Sequence, residues 1–563
     1  MFKETDRNAQ MDLFSAADNM LSGRSLSFYQ DKSAWHNIFR KEVLMRLNEG
    51  LFRVLFCNDN GAPNVSVRVL VSMMVLKESQ GWSDAQLFEQ CQYNILTRSA
   101  LGLLNIKDPI PAESTYYLFR KRVVEHEKET GENLLEKAFS QLTGDQIRDF
   151  QVSGKLLRMD SKLIGSNIAW YSRYELIHES IRVFHKNREK YIQKRNLPAS
   201  DTALLESIMG EGGNKVVYRS SKTEITTRMK ELGKLIYKLL AIFRKYPGED
   251  YDMLKKVFHS QFSVNENKEV LPLEKDKIEA TSVQSPHDTD CTYRNKDGNQ
   301  IKGYSVNVTE TCNQDKGALN LITDIKVDKV TTADNAFFAP AVDSSKEKLS
   351  EKVEKVYADG AYHSPDNQEY CKDNDMELVI QAIQGAESRY EFQEEKETGN
   401  IIVKDTVTGQ IIPARKVITR KDNSIKWAIT TAENKPRYFA QKDIDTFRLR
   451  QKIKNTPRDE LNIRNNVEAT IFQIGFHYAN DKSSYRTLCK HKMWANARAI
   501  GINFRRILKY VTQTCQRTFF PSNQALKNHL MNPWTTFIVI FNYVFTNYVL
   551  KNSPIPVFST FRN

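Results

Sequence analysis

The chain has 563 residues, with 82 Lys and Arg against 69 Asp and Glu, a net charge of +13 and a pI near 9.1. That length exceeds what one hydrophobic core fills, so two or three structural units are expected, and 40% hydrophobic content describes a globular, basic protein rather than a disordered one. The positive charge points to a polyanion, nucleic acid first, because Lys and Arg that neutralise phosphates release condensed counterions.

Seven cysteines, Cys57, Cys91, Cys291, Cys312, Cys371, Cys489 and Cys515, are scattered singly, which excludes a disulfide scaffold and fits a reducing cytoplasm. Cys489 and His491 lack further partners at zinc-ligand spacing. The polar start MFKETDRNAQ is not a signal peptide. The apolar run Trp534 to Leu550 is shorter than the roughly 20 residues of a spanning helix. It also carries Thr535, Thr536, Asn542, Thr546 and Asn547, and reads as a buried terminal element, so no membrane partner is expected.

In chain order, helical spacing covers about Ser33 to Leu142, with Val69, Met73 and Leu76 on one face and Ser83 as a helix N-cap. Arg120, Lys121 and Arg122, beside Tyr116, Tyr117 and Phe119, form a basic cluster suited to DNA contact. Lys155 to Ile164 reads as a strand with Asp160 in its middle. Tyr174 to Tyr191 and Thr223 to Phe258 read as charged amphipathic helices joined through a loop at Gly210 to Asn214. A polar linker from about Ser263 to Asp290 follows. Next comes a half-buried strand in which Tyr304, Val306 and Val308 alternate with Ser305, Asn307 and Thr309. Leu319 to Val327 is its antiparallel hairpin partner, and Val353 to Ala358 is a strand that stops at Asp359 and Gly360. Short β-rich runs between Gly399 and Gln441 form a small β insertion, and helical spacing returns at Val467, Ile471, Ile474 and Tyr478.

Asp160 within a strand, Asp359 at a strand end and Glu468 on a helix are placed to aim at one point. Phosphoryl transfer on DNA uses such carboxylates to hold two divalent metals. Around these residues the chain resembles the DDE transposases of bacterial insertion sequences, specifically the 1182 family. The resemblance runs through SVRVLVSMMVLKESQGWSDAQLFEQ at Ser66 to Gln90, PAESTYYLFRKR at Pro111 to Arg122 and LLRMDSKLIGSNIAWYSRYELIHESIR at Leu156 to Arg182. It continues through KGYSVNVTET at Lys302 to Thr311, YADGAYHS at Tyr357 to Ser364 and RNNVEATI at Arg464 to Ile471.

The resemblance implies an α/β fold, with an RNase H-like mixed-sheet catalytic core carrying helical and β insertions, preceded by an α-helical N-terminal domain. It implies a DNA-binding and dimerisation domain over 1-150 and a catalytic domain over 151-520. Within the latter, the helical insertion falls at about 174-260 and the β insertion at about 385-445, and a C-terminal element covers 521-563. The implied function is metal-dependent cleavage at transposon ends and strand transfer into target DNA. Asp160, Asp359 and Glu468 would be both catalytic residues and ligands of two Mg²⁺ ions, with Mn²⁺ as a substitute. Double-stranded DNA, as terminal inverted repeats and target, is the implied partner, bound by a homodimer in the bacterial cytoplasm at the nucleoid. The alternatives are a DNA nuclease without strand transfer and an inactive DNA-binding protein or repressor derived from a transposase.

Related families place a tyrosine before the arginine and a lysine after the glutamate; here Leu461 and Gly475 stand at those spacings. Arg464, one turn before Glu468, is positioned to orient its carboxylate or to contact DNA phosphate. Glu460, close after Pro457, is the rival third acid. From Lys482 to Arg517 there are nine Lys or Arg and no Asp or Glu. Lys482, Arg486, Lys490, Lys492, Arg498, Arg505, Arg506 and Lys509 read as a DNA track, with Met493, Ala497, Ile500, Phe504 and Leu508 burying the opposite face.

Overall fold

The computed structural model describes residues 1–5, 20–57, 63–194 and 197–519, apart from 297, 316, 384, 396–399, 419–424 and 432. The run Trp534 to Leu550 lies outside them. Two compact units divide the chain, Met1–Ile507 and Leu508–Asn563. Of the second, only the end of one long helix is described.

Among the described residues, seven α-helices precede the first strand: α1 (Gly23–Gln30), α2 (Trp35–Glu42), α3 (Val67–Gln80), α4 (Asp84–Tyr93), α5 (Ile95–Ala100), α6 (Glu113–Thr130) and α7 (Leu134–Asp149). Helix α3 is the buried axis of this region, enclosed from Val67 through Ser79. It stops at Gly81, whose φ of 71° is left-handed and whose missing Cβ leaves room for the His477 ring. Ser83 then caps α4 in a reciprocal capping box with Gln86.

Strand β1 (Leu156–Gly165) begins the main sheet. Helices α8 (Arg173–Ile192), α9 (Ala199–Gly210), α10 (Gly213–Arg219), α11 (Lys222–Phe243) and α12 (Glu249–Gln261) follow, packed on their own core of Phe184, Leu235, Ile236, Leu239 and Leu254. Ser172 and Ser221 each open a helix with a capping box, to Glu175 and Glu224. The loop expected at Gly210 to Asn214 is largely helical: α9 ends at Gly210 and α10 begins at Gly213, with only two residues between. Gly213 is buried close to the His178 side chain, so the small residue there permits close approach of α10 to α8.

A small hairpin, β2 (Phe262–Val264) with β3 (Val270–Pro272), leads back to the main sheet through β4 (Thr292–Lys296), β5 (Asn299–Thr311) and β6 (Ile322–Lys329). After α13 (Phe338–Lys346), β7 (Lys355–Ala358), α14 (Pro365–Asp373) and β8 (Glu377–Ile380) complete it. The order is β4-β5-β1-β7-β8, with β6 also paired to β5. β5 lies antiparallel to β1, whereas β1, β7 and β8 are mutually parallel, so the sheet is mixed. Leu157, Met159, Val356 and Ala358 pack with Phe338 and Tyr362 on one face.

The alternation in β5 does not mark a solvent face. Ser305, Asn307 and Thr309 are as buried as Tyr304, Val306 and Val308, because both faces of the strand are covered. Asn307 is satisfied there by the Tyr362 hydroxyl, which donates to its Oδ1 at 2.6 Å.

Two three-stranded antiparallel sheets follow, built from β9 (Tyr390–Glu394), β10 (Ile401–Asp405) and β11 (Ile411–Pro413), and from β12 (Arg415–Ile418), β13 (Ile425–Thr430) and β14 (Pro436–Ala440). They share a core with α15 (Gln441–Asn455), through Phe392, Phe439, Ile444 and Phe447. Then come α16 (Arg458–Asn462), a 3₁₀ turn at Ile463–Asn466, α17 (Val467–Gly475) and α18 (Leu488–Phe519). The architecture is thus a mixed α/β fold with a mixed sheet behind an N-terminal helical region.

Candidate active site

Side chains alternate across a strand, so Arg158 and Asp160 share the face of β1 opposite to Leu157 and Met159. Strand β7 pairs with β1 in the register Arg158 with Tyr357, and Asp359 stands two residues beyond Tyr357, level with Asp160. β8 pairs with β7 in turn, Ala358 opposite Ile380, which brings Gln381 level with Asp359. Three adjacent parallel strands therefore deliver Asp160, Asp359 and Gln381 to one edge. Gly360 is required by the same geometry, since a Cβ there would overlap the carbonyl oxygen of Ala382.

The Ile463–Asn466 turn and α17 lie across this face. Arg464 Nη2 donates to Asp160 Oδ2 at 2.7 Å, and its Nη1 donates to Gln381 Oε1 at 3.0 Å. Gln381 Nε2 reaches the Leu461 carbonyl and Asn465 Oδ1, both at 2.7 Å, so one amide fixes the whole turn. Glu468 is largely exposed and lies 4.0 Å from Arg464. Asp160 is mostly shielded, whereas Asp359 faces solvent.

Burial pushes the Asp160 carboxyl above its ordinary range. The Arg464 guanidinium and the Ser161 amide, which donates to Oδ1 at 2.8 Å, oppose the shift, while the Asp359 and Asp334 charges add to it. Asp334, not singled out in the sequence, accepts from Ser161 Oγ at 2.6 Å. Glu460 is turned elsewhere, pairing with Lys355 Nζ at 2.5 Å. Among the described residues, no three His, Cys, Asp or Glu side chains converge closely enough to hold a metal. Asp160 and Asp359 are brought together; Glu468 stands apart with Arg464 beside it.

The basic residues separate into exposed and enclosed groups. Lys121, Lys482, Arg486 and Lys490 are exposed, and Lys490 is depressed by desolvation and by neighbouring Arg120, Lys128 and Arg486. Lys492 pairs with Glu127 at 3.2 Å, and Arg122 lies over the Phe56 ring. Arg120 is held against Asp84 and the rings of Tyr116 and Tyr485.

Arg498 does not line an outer face. It is 1% exposed and donates to the carbonyls of Glu78, Gln473 and Phe476, because α18 is enclosed by the N-terminal helices as well as by α17. Arg505 reaches the Ser79 carbonyl at 3.3 Å, and Arg506 is engaged by the buried Glu310 at 2.7 Å. Lys509, in the second unit, is exposed.

Residues 37–122 match the family model of the Transposase domain (DUF772). The match runs from within α2 to within α6 and so covers most of the N-terminal helical region. No curated protein and no solved structure matches the chain. A transposase domain over these residues suggests an enzyme of the transposase kind. Among the described residues, no helix is long and apolar enough to cross a membrane.

Proposed function

We propose that the chain is a DDE transposase that cuts DNA at the ends of a mobile element and joins those ends to target DNA. The observation that carries this reading is the level placement of Asp160 and Asp359 on adjacent parallel strands, with Glu468 on a helix over the same face. The transposase domain at 37–122 supports the same reading.

The mixed sheet, with acids on two neighbouring strands and a third on a later helix, fits an RNase H-like core. On this reading 1–150 binds and pairs DNA ends, 151–520 is catalytic with α8 to α12 and β9 to β14 as insertions, and 521–563 is a terminal element. Two copies hold the two inverted repeats, and the enzyme works at the bacterial nucleoid.

The donor chemistry fits Mg²⁺ or Mn²⁺, since Asp160, Asp359 and Glu468 offer only hard carboxylate oxygens. When bound, two such ions lower the pKa of the attacking hydroxyl and stabilise charge on the leaving oxygen. The protein's part is to present the acids and to release Arg464 from Asp160. A DNA phosphate takes over the Arg464 guanidinium, in the fork geometry that arginine offers to phosphate, and Glu468 closes toward the two aspartates. In the first step a water oxygen bonds to phosphorus and the 3′ oxygen of the element end leaves as a hydroxyl. In the second, that hydroxyl bonds to a target phosphorus and expels the target's own 3′ oxygen. Lys121, Lys482, Arg486 and Lys490 lie exposed where they can track phosphates, Lys482 Nζ and Arg486 Nε being anchored on the Ile168 and Asn167 carbonyls.

The test is to incubate the full chain with flanking end DNA, a target plasmid and Mg²⁺. Joined products from wild type and none from Asp160→Ala are expected. Nicking without joining favours a nuclease, and joining by Asp160→Ala refutes the assignment.

A further inference from the structure

Glu310 is fully buried in the middle of the sheet, on the same face as Asp160, and its carboxylate is shared by three donors from different parts of the chain. Arg158, its register partner on β1, donates to Oε1 through Nε and Nη2, both at 2.6 Å. Thr470 Oγ1 and Arg506 Nη2 each donate to Oε2 at 2.7 Å, and Arg506 also bonds Thr470. Arg158 goes on to donate from Nη1 to the Ile463 carbonyl at 3.3 Å. One carboxylate is therefore linked to Ile463 through Arg158 and to Thr470 directly. Those two residues bracket Arg464 and Glu468.

The regular β1–β5 ladder presents this side chain: Glu310 lies directly opposite Arg158, and the irregularity of the β5–β6 ladder beside it falls on β6, at Thr323. A buried carboxylate is costly unless paired and fully hydrogen-bonded, and two guanidiniums and a hydroxyl meet that requirement here. Arg506 and the Thr470 hydroxyl tie the carboxylate to α18 and α17.

We propose that Glu310 is the positioning residue of the active site: through Arg158 and Thr470 it fixes both ends of the 463–470 segment and thereby sets the reach of Glu468 and Arg464 to Asp160. This inference rests on the transposase reading for the role of Glu468, but the tether can be measured without it.

The experiment compares the full-length wild type with Glu310→Gln, Thr470→Val and Thr470→Ser. The readouts are amide hydrogen exchange of the free protein, end-DNA binding in Ca²⁺, and the Mn²⁺ concentration for half-maximal end cleavage. In Glu310→Gln and Thr470→Val, exchange over 463–475 should accelerate about ten-fold while β1 and β5 keep their protection. The Mn²⁺ requirement should rise about ten-fold, as for other residues that orient metal ligands, with end binding unchanged. Thr470→Ser, which keeps the hydroxyl, should stay within about two-fold of wild type in both. Unchanged exchange over 463–475 in Thr470→Val, or acceleration spread equally over β1 and β5, overturns the proposal. If wild type cuts no end DNA while the exchange contrast appears, the tether stands and the transposase reading falls.

Discussion

Arg464 and Asp160, 304 residues apart in sequence, form an ion pair at 2.7 Å that closes the first acid of the site. On the proposed mechanism the pair couples DNA and metal binding, because Arg464 occupies Oδ2 of the carboxylate that would serve the dication. It also opposes the burial that raises the Asp160 carboxyl.

Removing the guanidinium should therefore move Asp160 further upward. On the proposed mechanism Asp160 acts ionised, so cleavage is expected to be lost as pH falls through its folded-state pKa. In Arg464→Ala the acid limb of the pH profile should lie at higher pH than in wild type. Cleavage rates measured from pH 5 to 9 check this, and a limb at lower pH opposes it.

A carboxyl whose pKa is raised on folding favours the native state below its unfolded pKa, and that contribution is lost as pH rises through the folded value. At neutral pH the ionised Asp160 is thus a cost to the fold. Asp160→Asn should keep its melting temperature within about 2 °C of wild type, or exceed it, while losing cleavage. Differential scanning calorimetry at pH 7 decides the matter.

Gly360 has a narrower duty than folding. Gly360→Ala places a methyl group against the Ala382 carbonyl and must shift Asp359. An overpacking cost of about 1–3 kcal/mol is expected in denaturant unfolding. Cleavage should fall further, by about a hundred-fold, because a displacement of an ångström suffices for that.

The two kinds of arginine and lysine in α18 should separate cleanly. Arg498→Ala leaves three carbonyls without their buried donor and should destabilise by about 3 kcal/mol. Lys490→Ala should leave stability alone and lower the slope of log affinity against log salt by about 1. Thermal melts and filter binding at several salt concentrations distinguish them.

Much of the sheet edge that carries Asp160 and Asp359 was legible because it depends on local signals. A strand-like run marks β1 and an Asp-Gly stop marks the end of β7, while the choice of Asp160 and Asp359 among the acids of the chain comes from the family resemblance. Glu310 could not be named from either, since its meaning comes from Arg158, 152 positions away, and from Thr470, 160 positions away. Asp334 is hidden for the same reason, reaching the site through Ser161 and through its charge on Asp160. The polar side of β5 and Arg498 on the basic side of α18 are covered rather than solvent-facing, while Lys490 and Lys509 are exposed as expected. Periodicity tells which side chains share a face, but not whether another layer covers it; Tyr362 covers Asn307, and α3 and α17 enclose Arg498.

The most direct measurement is a metal-specificity switch at Asp359, the exposed acid of the pair. A cysteine thiolate disfavours Mg²⁺ relative to softer ions. Asp359→Cys is expected to be inactive on end DNA in Mg²⁺ and to regain cleavage in Mn²⁺, with wild type active in both. Equal inactivity of folded Asp359→Cys in both metals, or cleavage by wild type in the presence of EDTA, would contradict the assignment of Asp359 as a metal ligand.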